Sequence, residues 1–211
     1  MNSTALILFS GLPGTGKTVL ARRVARHLHI PLLAKDRIQS ALRVRGLADR
    51  TTPDGYHLMF DLADEQLSLG VSVVLDAVFP MEGFRLAARD IACRNSANFC
   101  PIHCYCSDQS VWRERMKGRE QYVPNWTPVG WEAVERLQAT YEPWDPETTL
   151  FVDSLNDLED NLVLVMDWIH RGSCRVADSP TVMITPRRYK QDDNTLTGHN
   201  SDVDMGRVGL P

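Results

Sequence analysis

No apolar run in the 211-residue chain approaches the ~20 residues that span a bilayer. The longest purely apolar stretches, Ala5–Phe9 and Leu162–Met166 among them, hold five residues each. No basic n-region precedes the first of them, so no signal peptide is expected and the chain reads as cytoplasmic. Neither sign of charge is in excess: 23 Lys and Arg face 27 Asp and Glu, a net charge of −4. That balance supplies no global pull toward nucleic acid or an anionic membrane. Cysteine is scarce and odd in number, with five at positions 93, 100, 104, 106 and 174. Such a count does not fit a secreted disulfide framework. Cys100, His103, Cys104 and Cys106 lie close enough to raise a metal site. On a strand, however, the three cysteines point to one face and His103 to the other. They are expected to be buried structural thiols.

What is present is the pattern of an α/β domain. Short apolar runs alternate with amphipathic segments. Ala5–Ser10 reads as a buried strand, Lys17–His29 as a helix and Pro31–Ala34 as a short strand that begins at a proline. Asp36–Arg45 reads as a helix closed by Gly46, and a further helix runs from Thr52-Pro53 to Gly70. Val71–Leu75, Phe99–Cys106 and Thr149–Val152 read as the remaining strands. Helices fill the gaps: Glu82–Asn95, a segment capped by Ser107 and running to about Gly118, and one from Thr127-Pro128 stopped by Pro143. The last helix opens at Ser154, with Asp157 three residues on in capping-box spacing, and ends at Gly172. Residues 1–172 are expected to form the domain. Residues 173–211, with one aromatic and much Ser, Thr, Asp, Asn and Gly, read as a poorly ordered tail.

Gly11-Leu12-Pro13-Gly14-Thr15-Gly16-Lys17-Thr18 is a P-loop, G-x-x-x-x-G-K-[ST]. It sits between a buried strand and an amphipathic helix, the context the motif needs. Its glycines let successive amides turn toward one point, and the helix adds its unpaired N–H groups and positive dipole end. Lys17 reaches the β- and γ-phosphates, and the Thr18 hydroxyl is a hard ligand for Mg²⁺. The D-x-x-G and N-K-x-D patterns of a GTPase switch occur nowhere. A hydrolytic motor would end a strand in Asp-Glu, but Asp76 is followed by Ala77. These absences favour transfer to an acceptor over hydrolysis.

Two carboxylates stand where transfer needs them. Asp36 follows the second strand and Asp76 ends the third, so both face the crevice at the strands' carboxyl ends. Asp36 suits proton acceptance from an acceptor hydroxyl; its plain alternative is a helix N-cap. Asp76 suits Mg²⁺ held through water, or acceptor binding; its plain alternative is a turn residue. Arg113, Arg115, Lys117 and Arg119 crowd nine residues, and Arg115 and Arg119 share a helix face. They suit a cationic lid over developing phosphoryl charge, against the alternative of a solvated face.

GLPGTGKT, LLAKD, GVSVVLDAVF, CSDQSVWRERMKGRE and VDSLNDLED together resemble the P-loop kinase group, over roughly residues 5–170. The likeness is to small AAA-domain kinases, a set that includes the kinase domain of polynucleotide kinases, zeta toxins and chloramphenicol phosphotransferase. It implies an adenylate-kinase-like P-loop NTPase fold with a five-stranded parallel sheet in the order 2-3-1-4-5, with ATP as donor. It implies that Asp36 matches the acceptor-binding or general-base Asp, Asp76 the Asp closing the third strand, and Arg115 and Arg119 the lid arginines. It places the loop around Asp153–Asn156 near the adenine. One departure is Gln39, where many relatives carry an Arg; Arg37 comes earlier, and Arg85 and Arg89 are candidate substitutes. A phosphorylated acceptor is therefore less favoured. The leading reading is a kinase for a hydroxyl of a small molecule. A nucleic-acid 5′-hydroxyl kinase using Arg37, Arg43, Arg45 and Arg50 is the alternative, and an ATP-binding module or slow NTPase is the third. Trp112 and Trp168 fit core packing, while Trp126 is a candidate for acceptor contact.

Overall fold

The computed structural model describes residues 4–49, 52–117 and 129–171, all within one compact unit. The expected tail over 173–211 lies outside the described residues, as do Arg50, Arg119, Trp126 and the Thr127-Pro128 helix start.

The chain runs β1 (Ala5–Ser10), α1 (Lys17–Leu28), β2 (Leu32–Ala34), α2 (Lys35–Val44), α3 (Asp54–Ser68), β3 (Val73–Asp76) and α4 (Glu82–Arg94). It continues with β4 (Asn98–Tyr105), α5 (Gln109–Lys117), α6 (Trp131–Ala139), β5 (Leu150–Asp153) and α7 (Leu158–His170). All strands are parallel, in the order β2-β3-β1-β4-β5. This is the order that the kinase resemblance implied.

Every residue of β1 is buried, as a central strand covered on both faces requires. Ile7 and Phe9 pack with Leu20 and Val24 of α1 and Leu162 and Val165 of α7. Leu6 and Leu8 point the other way, into Met59 and Phe60 of α3 and Ile91 of α4. A smaller cluster of Leu12, Trp112, Met116 and Val134 sits under the P-loop. Pro101 lies inside β4, where a proline removes a ladder donor. Pairing of β4 with β5 begins one residue later, at Ile102 opposite Leu150.

The register levels the strand ends. Phe9 and Ala34 both pair with Asp76, so β1, β2 and β3 finish side by side. Gly11, Lys35 and Ala77 therefore leave the sheet at one edge.

Three helix starts differ from expectation. Asp108, not Ser107, caps α5: its Oδ1 accepts from the backbone N–H of Ser110 at 2.8 Å and of Val111 at 3.1 Å. Asp157, not Ser154, caps α7 by accepting from the Glu159 N–H at 2.8 Å. In both cases a carboxylate nearer the first turn outcompetes a serine, favoured by the positive end of the helix. The N-cap of α2 is Ala34, which leaves Asp36 in the first turn with no capping role. The helix expected to run to Pro143 stops at Ala139, and residues 140–149 cross toward α4.

Candidate active site

Gly11–Thr18 forms the turn from β1 into α1. Gly16 is the N-cap of α1 at φ 81°, a left-handed conformation that costs glycine nothing. Gly14, at φ +85°, lies so near α5 that a Cβ would meet Met116 Sδ at 2.5 Å and Trp112 Nε1 at 3.0 Å. The loop is braced from within and from outside. The Thr15 hydroxyl donates to the Leu12 carbonyl at 2.8 Å, and the Trp112 indole N–H donates to the Pro13 carbonyl at 2.8 Å. Trp112 packs in the core as expected, but it also holds the phosphate loop. Its spacing from Met116 puts both on one face of α5, but nothing in the sequence showed that this face meets Gly14.

Lys17 and Asp76 are both buried, at 6% and 5% exposure. Their opposite charges offset part of each other's desolvation. Burial still pushes the Asp76 carboxyl above the usual carboxylate range, while the Lys17 charge and a hydrogen bond from Thr18 pull the other way. The second carboxylate oxygen of Asp76, Oδ1, is buried with no hydrogen-bond partner. A buried carboxylate oxygen beside a threonine hydroxyl is a donor set that suits a hard divalent cation.

A cavity of about 350 Å³ lies along the P-loop, lined by Gly14–Thr18, Asp36, Arg37, Asp76 and Arg115, with Ser154, Asn156 and Asn161 at its far side. A second cavity of about 450 Å³ opens on the other side of Asp36, against Tyr56, Met81 and Phe84. Lys17 and Asp36 line both. The Asp36 side chain is 38% exposed and its Oδ1 lies 3.8 Å from Lys35 Nζ.

Arg115 reaches the P-loop cavity, but its guanidinium is engaged. It donates to Ser154 Oγ at 2.7 Å and to the Ser154 carbonyl at 3.0 Å. Those bonds tie α5 to the loop after β5 and account for Ser154 leaving the capping role. The loop around Asp153–Asn156, expected near the nucleotide, does border this cavity through Ser154 and Asn156, while sequence reasoning missed the Arg115–Ser154 bond and Lys35. Arg85 lines neither cavity. It is buried at 7% exposure and donates to the carbonyls of Phe79 at 3.1 Å, Pro143 at 2.7 Å, Pro80 and Glu142. Its cation also lies 4.3 Å from the centroid of the Trp144 ring. Gln39 is fully buried, accepting from Gly55 N–H at 2.8 Å and donating to Thr52 Oγ1 at 3.2 Å. It joins α2 to α3 and does not reach either cavity. Cys100 and Cys104 are buried in the β1–α1–α7 core, Cys93 and Cys106 are half-buried, and Cys174 lies outside the described residues. Burial pushes the Cys104 thiol up to about 12.

No helix among the described residues is long and apolar enough to cross a membrane. No curated protein matches the chain in sequence. Solved structures do share the fold. A sugar kinase from Janibacter sp. HTCC2649 superposes with a TM-score of 0.60 at 19% identity, covering 79% of this chain and 95% of that one. Kti12 from Chaetomium thermophilum, in complex with ADP-AlF3, gives 0.63 at 19% identity, over 82% and 100%. The APS kinase CysC of Mycobacterium tuberculosis, in complex with AMPPNP and APS, gives 0.59 at 19% identity, over 80% and 98%. Each superposition carries the five-stranded P-loop architecture of kinases. Residues 6–144 match the AAA domain family AAA_33, and the chain belongs to that family, with a kinase-like P-loop fold.

Proposed function

We propose that the protein is an ATP-dependent phosphotransferase that moves the γ-phosphoryl group to a hydroxyl of a small molecule. The observation that carries this reading is the meeting of two cavities at Lys17 and Asp36. A simple nucleotide-binding module has no use for the second one.

ATP lies along the first cavity. Its phosphates rest on the amides of the P-loop and the start of α1, and Lys17 neutralises the β- and γ-phosphates. Thr18 and Asp76 would hold Mg²⁺, which would supply positive charge to the phosphate oxygens. Arg115 steadies the loop after β5 against the nucleotide, and Arg119 is its proposed companion over the phosphates. The acceptor enters from the second cavity. Asp36 takes the proton of its hydroxyl as the acceptor oxygen bonds to the γ-phosphorus and the bond from that phosphorus to the β–γ bridging oxygen breaks. ADP and the phosphorylated acceptor are the products.

Labelled γ-phosphate, Mg²⁺ and a metabolite extract test this. Label should pass into a small-molecule fraction. Asp36→Asn should bind ATP normally and lose at least about a hundredfold in transfer, the usual worth of a general base. Lys17→Ala should lose both transfer and tight ATP binding with the fold retained. Label released only as free phosphate, unchanged by Asp36→Asn, would leave a slow NTPase in place of a kinase.

A further inference from the structure

The walls of the second cavity are unlike those a sugar or an anion would need. Val78, Pro80, Met81, Phe84 and Leu137 give it an apolar body. The Phe84 ring stacks on the Tyr56 ring, with centroids 4.2 Å apart and planes 11° apart. Two hydroxyls, those of Tyr56 and Thr52, are the polar side chains of this body, and each already has a partner. The Tyr56 hydroxyl accepts from the Phe79 N–H at 3.0 Å. The Thr52 hydroxyl donates to the Asp49 carbonyl at 3.1 Å and accepts from Gln39 at 3.2 Å. Among the described lining residues there is no arginine; Lys17 and Asp36 lie at the end shared with the P-loop cavity, and Lys35 Nζ sits 5.5 Å from the Tyr56 ring centroid.

The apolar wall is held rigidly. Phe79 is fully buried in a left-handed conformation, φ 49°, which non-glycine residues adopt at a cost. Three side chains from separate elements pin the segment around it. Tyr141 donates to the Val78 carbonyl at 2.9 Å, Tyr56 receives the Phe79 N–H, and Arg85 takes the carbonyls of Phe79 and Pro80. A preformed pocket of this kind loses little order on binding.

We infer that the acceptor is an uncharged alcohol with an aromatic or alicyclic body, which seats in the apolar cavity with its hydroxyl at Asp36. The inference rests on the phosphotransferase reading for its reaction but not for its binding. A polyol would give up water hydrogen bonds along the apolar walls without replacement. A phosphorylated acceptor would meet no described arginine fork.

The test has a binding arm and a transfer arm on the full chain. Protein loaded with ADP and Mg²⁺ is titrated with 2-(2-naphthyl)ethanol, cyclohexanemethanol, D-glucose and glycerol 3-phosphate. The same four are offered as acceptors of label from ATP. The two apolar alcohols should bind and accept label in preference to the others. Phe84→Ala and the half-exposed Met81→Asp should each weaken that binding by about tenfold or more, with ATP affinity unchanged. Preference for glucose or glycerol 3-phosphate would overturn the inference and leave the kinase reading standing. So would failure of both apolar alcohols to bind, or binding that neither variant alters. Variant-sensitive binding of the apolar alcohols with no label on any acceptor would keep the inference and sink the phosphotransfer reading.

Discussion

Asp76 carries the sharpest electrostatic demand in the molecule. An ionised carboxylate so deeply buried is tolerable only with positive charge and hydrogen bonds around it. Lys17 and Thr18 meet part of that demand, and the unpartnered Oδ1 is the remainder. Asp76→Asn keeps the shape and removes the charge. In the variant, Mg²⁺ should no longer strengthen ATP binding, while affinity without Mg²⁺ should hold or rise. Titration with ATP in the presence and absence of Mg²⁺ checks this, and an unchanged Mg²⁺ effect would remove Asp76 from the metal site. The sequence could place Asp76 and Asp36 at strand ends but could not separate their roles. A cap and a base look alike in a string of letters. Asp36 lost its capping alternative only when the helix start fell two residues earlier, at Ala34. Arg85 shows the opposite failure. Its charge suggested ligand binding or a surface face, whereas packing buries it on four carbonyls, a pairing that only the distant 141–144 segment reveals.

Among the elements, α5 does the most for the P-loop without belonging to it. Trp112 holds the Pro13 carbonyl, Met116 closes on Gly14, and Arg115 grips Ser154. Trp112→Phe keeps the ring and deletes one hydrogen bond, worth about 1 kcal/mol. ATP affinity should fall by up to about tenfold, while the melting temperature moves only a few degrees. A lowered melting temperature with no change in affinity would make Trp112 a packing residue alone. The strands and long helices were legible because their apolar periods are strong. The caps of α5 and α7 were not, because Ser and Asp compete for the same turn and only the local geometry chooses. The crossing at 140–149 was illegible because no periodicity marks a segment fixed by Arg85, by the Tyr141 hydroxyl and by the Glu142 N–H on distant partners.

At the scale of the whole molecule, a parallel sheet was legible in the alternation of strands and helices, but its order was legible only through the resemblance to P-loop kinases. The first cavity draws together the P-loop, Asp36, Asp76, Arg115 and Ser154, all singled out in the sequence, whereas the second, built from segments far apart in the chain, was not legible. A third feature emerges only at this scale. His103 sits beneath the 140–149 crossing, with Nδ1 2.9 Å from Ser10 Oγ and its ring among Tyr141, Trp144 and Phe151. Burial, and then the Arg85 charge, lower its pKa from 6.5 to about 4. Between those values the unfolded chain binds a proton that the folded chain refuses. Stability should therefore fall as pH drops from about 6.5 to about 4, by about 3 kcal/mol for this group alone. His103→Asn keeps a polar partner for Ser10 and should remove that share of the slope. Urea unfolding of both proteins from pH 7.5 to 4 measures the difference, and parallel curves would refute the assignment.

The position of β1 at the centre of the sheet governs how the chain is made. Its two neighbours, β3 and β4, come much later, and Ser10 waits for His103, 93 residues downstream. At ribosomal speeds of about 5–20 residues per second, that delay is roughly 5–20 s. Both edges of the apolar strand Ala5–Phe9 lack a partner until β3 is made, and one edge stays open until β4, the kind of segment that other nascent chains can capture. The phosphate loop lacks its outer brace until Trp112 of α5 is made, so nucleotide should help little early. Slower growth at low temperature, or a holding chaperone that covers the first strand, should raise the soluble yield more than added nucleotide does.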